Sequence, residues 1–119
     1  MATTAGTLEI EESTQDGVHV LSVEGELDLA TAPGLCRRLT AHRGQRFVVD
    51  LSHVLFCDSS GLRALLGEAH ESRIMGGRQV VVIPTHGQVR TLIDMTGLAD
   101  VLEVADDREG AVGRLRPSG

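Results

Sequence analysis

The sequence predicts an α/β domain built on a mixed, mostly parallel β-sheet that opens with an N-terminal β-hairpin. Three observations predict it. The first two apolar stretches are separated only by Gln15-Asp16-Gly17, a tight-turn tripeptide. Later apolar runs such as Phe47-Val48-Val49 and Val80-Val81-Val82-Ile83 are short and nearly continuous, as in strands covered on both faces. Between them lie segments whose apolar residues recur at helical spacing. The resulting order is β-β-α-β-α-β-α-β-α. The 119 residues fit one domain, 1–119, with a core over about 7–115. A chain of this size hides roughly two thirds of its unfolded surface, enough for a self-sufficient core.

Each element has its own reason. Leu8 and Ile10 alternate with Glu9 and Glu11, the period of a half-buried strand. After the turn, Val18 to Val23 is apolar on both faces and belongs inside the sheet, ending at Glu24-Gly25-Glu26-Leu27-Asp28. From about Ala30 to His42, Leu35, Cys36 and Leu39 mark a helix, with Pro33 in its first turn and Gly44 closing it. Phe47 to Leu51 is the next strand, followed by an expected loop holding Val54, Leu55 and Phe56. Leu62, Leu65, Leu66 and Ala69 then step at i, i+3, i+4 and i+7, the clearest helix in the chain, stopped by Gly76-Gly77. Gln79 to Ile83 is a strand ended by Pro84. Thr85 and Gln88 have capping-box spacing ahead of Val89, Leu92 and Ile93, and Gly97-Leu98 reads as a Schellman ending. Val101 to Val104 is the last strand, and Asp106 with Glu109 should cap a short helix carrying Ala111, Val112 and Leu115.

Composition narrows the function classes. Net charge is −6, the 11 basic residues are all arginine without a basic run, and aromatic rings are limited to Phe47 and Phe56. A nucleic-acid groove needs clustered cations and stacking rings, so no direct nucleic-acid contact is expected. No apolar run approaches the length of a membrane span, and the first residues lack the pattern of a signal peptide, so the expected location is the cytoplasm, away from membranes. Cys36 and Cys57 have no metal or redox spacing and read as small core residues of a reducing compartment. His19, His42, His53, His70 and His86 lack HxH or HxxxH spacing, so neither a metal nor a cofactor is expected. Asp106-Asp107 and Glu11-Glu12 read as solvated charge.

The chemistry concentrates in Cys57-Asp58-Ser59-Ser60-Gly61-Leu62. Asp58 or Ser59 stands where a helix N-cap belongs, and a side-chain oxygen there contributes about 1 kcal/mol. One cap does not need three consecutive capping-capable residues, and Gly61 leaves the helix entrance narrow enough for another protein's backbone to approach. With Val48-Val49-Asp50-Leu51 ahead of it and a leucine-rich helix behind, Asp58-Ser59-Ser60-Gly61-Leu62 resembles the anti-sigma factor antagonists of the STAS family. Gly25-Glu26-Leu27-Asp28 and Asp94-Met95-Thr96-Gly97-Leu98 match that family's pattern in the right order, so the resemblance covers about residues 7 to 115.

The resemblance implies a STAS fold and a protein that catalyses nothing itself. Its unphosphorylated form would bind an anti-sigma factor that is also a serine kinase, releasing the sigma factor for transcription. Phosphorylation of Ser59 would end that binding, and a PP2C-type phosphatase would reset it. Ser60 is the weaker phosphorylation candidate. Asp58, Ser60, Gly61, Leu62 and Arg63 would meet the partner, joined by Asp28 and Thr31 at the start of the first helix. Pro33-Gly34 inside that helix departs from the family pattern. For Leu62, core packing and partner contact are equally compatible with its place in the apolar stripe.

A phosphate at Ser59 would add roughly −1.5 to −2 charge at a helix N-terminus, which tolerates anions. Modification should therefore leave the fold intact and spoil the interface. Three other readings compete. An enzyme with a serine nucleophile would need a G-x-S-x-G elbow and a placed histidine, and the sequence offers neither. A receiver domain phosphorylated on Asp50 or Asp58 would typically use a lysine, which the chain lacks. A STAS scaffold or interaction domain in another phospho-signalling complex keeps the fold and changes the role.

Overall fold

The computed structural model describes residues 7–117. Strands β1 (Leu8–Gln15) and β2 (Val18–Leu27) form the hairpin, followed by α1 (Ala32–Thr40), β3 (Arg46–Cys57), α2 (Ser59–Ile74) and β4 (Arg78–Val82). Helix α3 (Gln88–Thr96), a 3-10 turn (Leu98–Asp100), β5 (Val104–Ala105) and α4 (Arg108–Leu115) complete the described chain. The sheet order is β1-β2-β3-β4-β5, with β1 antiparallel to β2 and the other neighbours parallel. The predicted mixed, mostly parallel sheet with its opening hairpin is therefore what forms. Asp16 (φ 52) and Gly17 (φ 79) make a two-residue turn with positive φ at both positions, the hairpin turn whose twist suits the strands.

Alternation along the inner strands sorts side chains onto two faces. Leu21, Val23, Phe47, Val49, Leu51, Val81 and Ile83 pack with Leu35, Leu39, Leu62, Leu65 and Ile93 of α1, α2 and α3. Val18, Val20, Val48, Val80, Val82 and Ala105 instead meet Ala111, Val112 and Leu115 of α4. Fully burying one such leucine or valine contributes about 1.5–3 kcal/mol. Asp50, only 3% exposed, sits at the α4 side of β3. It accepts hydrogen bonds from Ser52 N (2.9 Å), Ser52 Oγ (2.6 Å) and Arg108 Nε (2.8 Å). Burial disfavours its charge, but the Ser52 hydrogen bonds and the Arg108 guanidinium outweigh that and hold its carboxyl below the usual range.

Four local expectations change. The segment with Val54, Leu55 and Phe56 is the continuation of β3, paired with β2 as far as Leu27↔Cys57. Ser52-His53 interrupts the apolar run, and two register shifts against β2 hide the strand period there. The last strand is shorter and later than expected, because the 3-10 turn continues through Val101 N–H and Leu102 N–H, both donating to Leu98 O. No capping box forms at Thr85: Gly87 (φ 108) is the N-cap of α3, and Gln88 uses its side chain elsewhere. The cap of α4 is Asp107, whose Oδ1 accepts from Gly110 N at 2.7 Å, while Asp106 pairs with Arg90.

Candidate functional site

Parallel sheets present their functional loops at the carboxyl ends of the strands. Here Leu27 and Cys57 end β2 and β3 as register partners, so the segments beginning at Asp28 and Asp58 leave the sheet side by side. Asp58 N–H donates to Leu27 O at 3.1 Å, which extends the ladder by one bond into the loop. Asp58 is extended (φ −104, ψ 178), and its Oδ1 accepts from Gly61 N at 3.1 Å. The cap of α2 is therefore Asp58, not Ser59. Ser59 is the first helical residue and is exposed, Ser60 is half-buried, and Arg63 is exposed. The Ser59 hydroxyl is thus left out of the cap, at the positive end of a helix of 16 residues.

Gly61 and Leu62 turn inward, which revises their expected contact with a partner. Leu62 is 0% exposed and packs in the core. A Cβ on Gly61 would lie 2.6 Å from Leu27 Cγ, 3.0 Å from Leu27 O and 3.1 Å from Cys57 Sγ. The glycine therefore lets α2 start against the end of β2, and the close approach it permits is internal.

Asp28 and Thr31 form a closed polar unit ahead of α1. Asp28 Oδ1 accepts from Ala30 N and Thr31 N, both at 3.0 Å, while Asp28 N–H donates to Thr31 Oγ1 at 3.0 Å. Thr31 Oγ1 in turn donates to Glu26 O at 2.8 Å. This arrangement accounts for both residues as a loop brace. Pro33 sits in the first turn of α1, as its sequence position implies, and the helix begins two residues later than expected because this brace comes first.

Two features of the site carry no signal in the sequence. Gln88 clamps the last residue of β3: its Oε1 accepts from Cys57 N at 2.8 Å, and its Nε2 donates to Cys57 O at 2.7 Å. The segment entering Asp58 is thus held by β2 on one side and α3 on the other. The second feature is apolar. Leu29 (74% exposed), Leu55 (77%) and Phe56 (44%) lie within the two site segments and the strand leading into them. Cys57 itself is buried, and desolvation, helped by the charge of Asp58, pushes its thiol up to about 12. It is an inert core residue. Among the described residues, a group with metal-ligand chemistry lies elsewhere, at Glu12, His19 and His42.

The arrangement offers a capped helix entrance with an exposed hydroxyl at an anion-tolerant terminus, which suits a docking surface. Comparison with known proteins identifies the family. Residues 9–111 match the STAS domain family. The anti-sigma-B factor antagonist of Staphylococcus aureus is 32% identical over 105 residues, spanning 86% of this chain and 96% of that protein. The anti-sigma F factor antagonist of Paenibacillus polymyxa is 29% identical over 112 residues, spanning 91% and 95%. The crystal structure of an anti-sigma factor antagonist from Mycobacterium paratuberculosis superposes with a TM-score of 0.75 at 30% identity, covering 93% of this chain and 96% of that one.

Proposed function

The chain belongs to the STAS domain family, and from that premise we propose that it is an anti-sigma factor antagonist switched by phosphorylation of Ser59. In this reading the unmodified protein binds an anti-sigma factor that is also a serine kinase. The bound sigma factor is released, and transcription follows. The kinase then modifies Ser59 and ends the complex, and a PP2C-type phosphatase restores it. The protein works in the cytoplasm as a ligand of these partners and performs no catalysis. No described helix is long and apolar enough to cross a membrane.

The observation that carries the reading is the division of labour between Asp58 and Ser59. Asp58 supplies the cap, so the neighbouring hydroxyl is exposed and free for transfer. A phosphate there meets the helix N-terminus and leaves the core untouched. It also places a dianion at an exposed helix entrance that a docked partner would have to desolvate. A thousandfold loss of affinity requires about 4 kcal/mol, within reach of one unpaired, partly buried phosphate.

The test is to mix the protein with its anti-sigma-type kinase and ATP, map the modified residue, and follow complex formation. Modification at Ser59 and a nucleotide-sensitive complex are expected. Ser59→Ala should fold and stay bound, and Ser59→Asp should fold and bind weakly. An unmodified Ser59 with no nucleotide-sensitive complex would sink the proposal.

A further inference from the structure

At the other end of the sheet the fold assembles a cluster that sequence spacing does not reveal. Glu12 lies on β1 and His19 on β2. The register Glu12↔Leu21 and Thr14↔His19 makes them diagonal neighbours on one face. His42 comes from the turn between α1 and β3 and is 8% exposed. Its ring stands 4.4 Å from that of His19 and 5.7 Å from that of Phe47. One donor atom from each of Glu12, His19 and His42 lies within 4.8 Å of the other two.

We propose that Glu12, His19 and His42 form a zinc site, with two imidazole Nε2 atoms and one carboxylate oxygen as ligands and a fourth position for water. Both Nε2 atoms already converge on Glu12 Oε1, at 2.9 Å from His19 and 3.1 Å from His42. Tetrahedral zinc with ligand bonds of about 2.0–2.1 Å spaces its donors about 3.4 Å apart, so the two nitrogen–oxygen distances need open by only a few tenths of an ångström. Two imidazoles and a carboxylate are a borderline donor set that suits zinc over hard cations such as magnesium.

The outer partners are also in place. Gln45 Oε1 lies 3.0 Å from His42 Nδ1 and accepts its N–H. A ring protonated at Nδ1 alone leaves the Nε2 lone pair free to ligate a metal beside Glu12 Oε1, whereas a doubly protonated ring donates to that oxygen instead. Arg38 Nε donates to Glu12 Oε2 at 2.8 Å, which leaves Oε1 as the ligating oxygen. Hydrogen-bonded ligands of this kind are typical of metal sites, and losing one such partner costs 10–100-fold in affinity. A proton shared between His42 and Glu12 is the competing occupant, and it makes a different prediction.

The experiment is calorimetric titration of the metal-stripped full chain with zinc chloride, with magnesium chloride as control and cobalt(II) absorption as a second readout. One zinc ion per chain is expected, with magnesium silent and cobalt giving the intense visible bands of a tetrahedral site. Glu12→Gln and His19→Ala should each weaken zinc binding at least tenfold, and Gln45→Ala about tenfold. A chain with His53, His70 and His86 all changed to alanine should bind zinc as the parent does. His19 is a third exposed, so His19→Ala decides the matter even where the more buried His42→Ala fails to fold. Circular dichroism of each variant without metal separates lost ligands from lost structure. No zinc uptake by the parent chain, or uptake unchanged in folded Glu12→Gln and His19→Ala, would overturn the proposal and leave a proton-linked ion pair.

Discussion

Adding one methyl group to either of two glycines in α2 should move stability in opposite directions. Gly67 is exposed, and a Cβ built there meets nothing within 4 Å. Gly67→Ala should therefore gain the helix-propensity difference, about 0.8–1.0 kcal/mol. At Gly61 the same methyl would stand 2.6 Å from Leu27 Cγ and 3.0 Å from Leu27 O, the second of which is backbone and cannot swing aside. Overpacking of this kind costs about 1–3 kcal/mol, and a propensity gain in the first turn offsets only part of it. A net loss of about 1–2 kcal/mol is expected, so the two variants should differ by about 2–3 kcal/mol. In a domain of this size that is a gap of about 10 °C in Tm. Urea unfolding followed by circular dichroism measures it directly. Relief of the clash would push α2 away from β2 and strain the Asp58 N–H to Leu27 O bond, so Gly61→Ala should also slow modification of Ser59 while Gly67→Ala should not. Equal stabilisation by both substitutions would refute the account of how α2 is seated.

Three further outcomes follow from the same geometry. Gln88→Ala removes both hydrogen bonds to the Cys57 backbone and should cost about 1–3 kcal/mol, with faster amide exchange at Cys57 as the local readout. Asp50 has a folded-state pKa below its unfolded value of about 3.9, so its stabilising contribution is present above that pH and is lost as pH falls through the folded value. Acid unfolding curves of the parent and Asp50→Asn should accordingly converge at low pH. At pH 8 iodoacetamide should leave Cys57 unmodified in the native protein and label it rapidly in urea, since burial pushes its thiol up to about 12 and shields it from the reagent. Labelling in the native state would show that the segment before Asp58 opens.

The fold was legible wherever a segment had one dominant environment. Val80 to Ile83 is buried on both faces and Leu62, Leu65 and Ala69 fall on one helix face, so local pattern and tertiary context agree. It was illegible where tertiary pairing overrode pattern, as at Ser52 to Phe56, where β2 carries β3 through polar residues and two register shifts. The helix entrance at Asp58 could be placed from residue type alone, although the choice between Asp58 and Ser59 as cap depended on backbone geometry. Gln88 illustrates the limit best. Its spacing from Thr85 matched a local cap, and its actual partner, the Cys57 backbone, is distant in the chain. The convergence of His19 and His42 on Glu12 likewise arises from strand register and the end of α1, which no linear spacing encodes.

The two edges of the sheet are unequal. At one edge β5 contributes two residues, whereas at the other β1 runs for eight with one side unpaired among the described strands. A long unpaired strand is a template on which a second chain could polymerise. Two carboxylates along it, Glu9 and Glu11, guard against this, because a second copy added at β1 would bring like charges opposite one another. That guard is electrostatic and so depends on the solution. It weakens as salt shortens the reach of each charge. The same hairpin that frames the domain thus sets the conditions under which it can be kept concentrated without forming fibres.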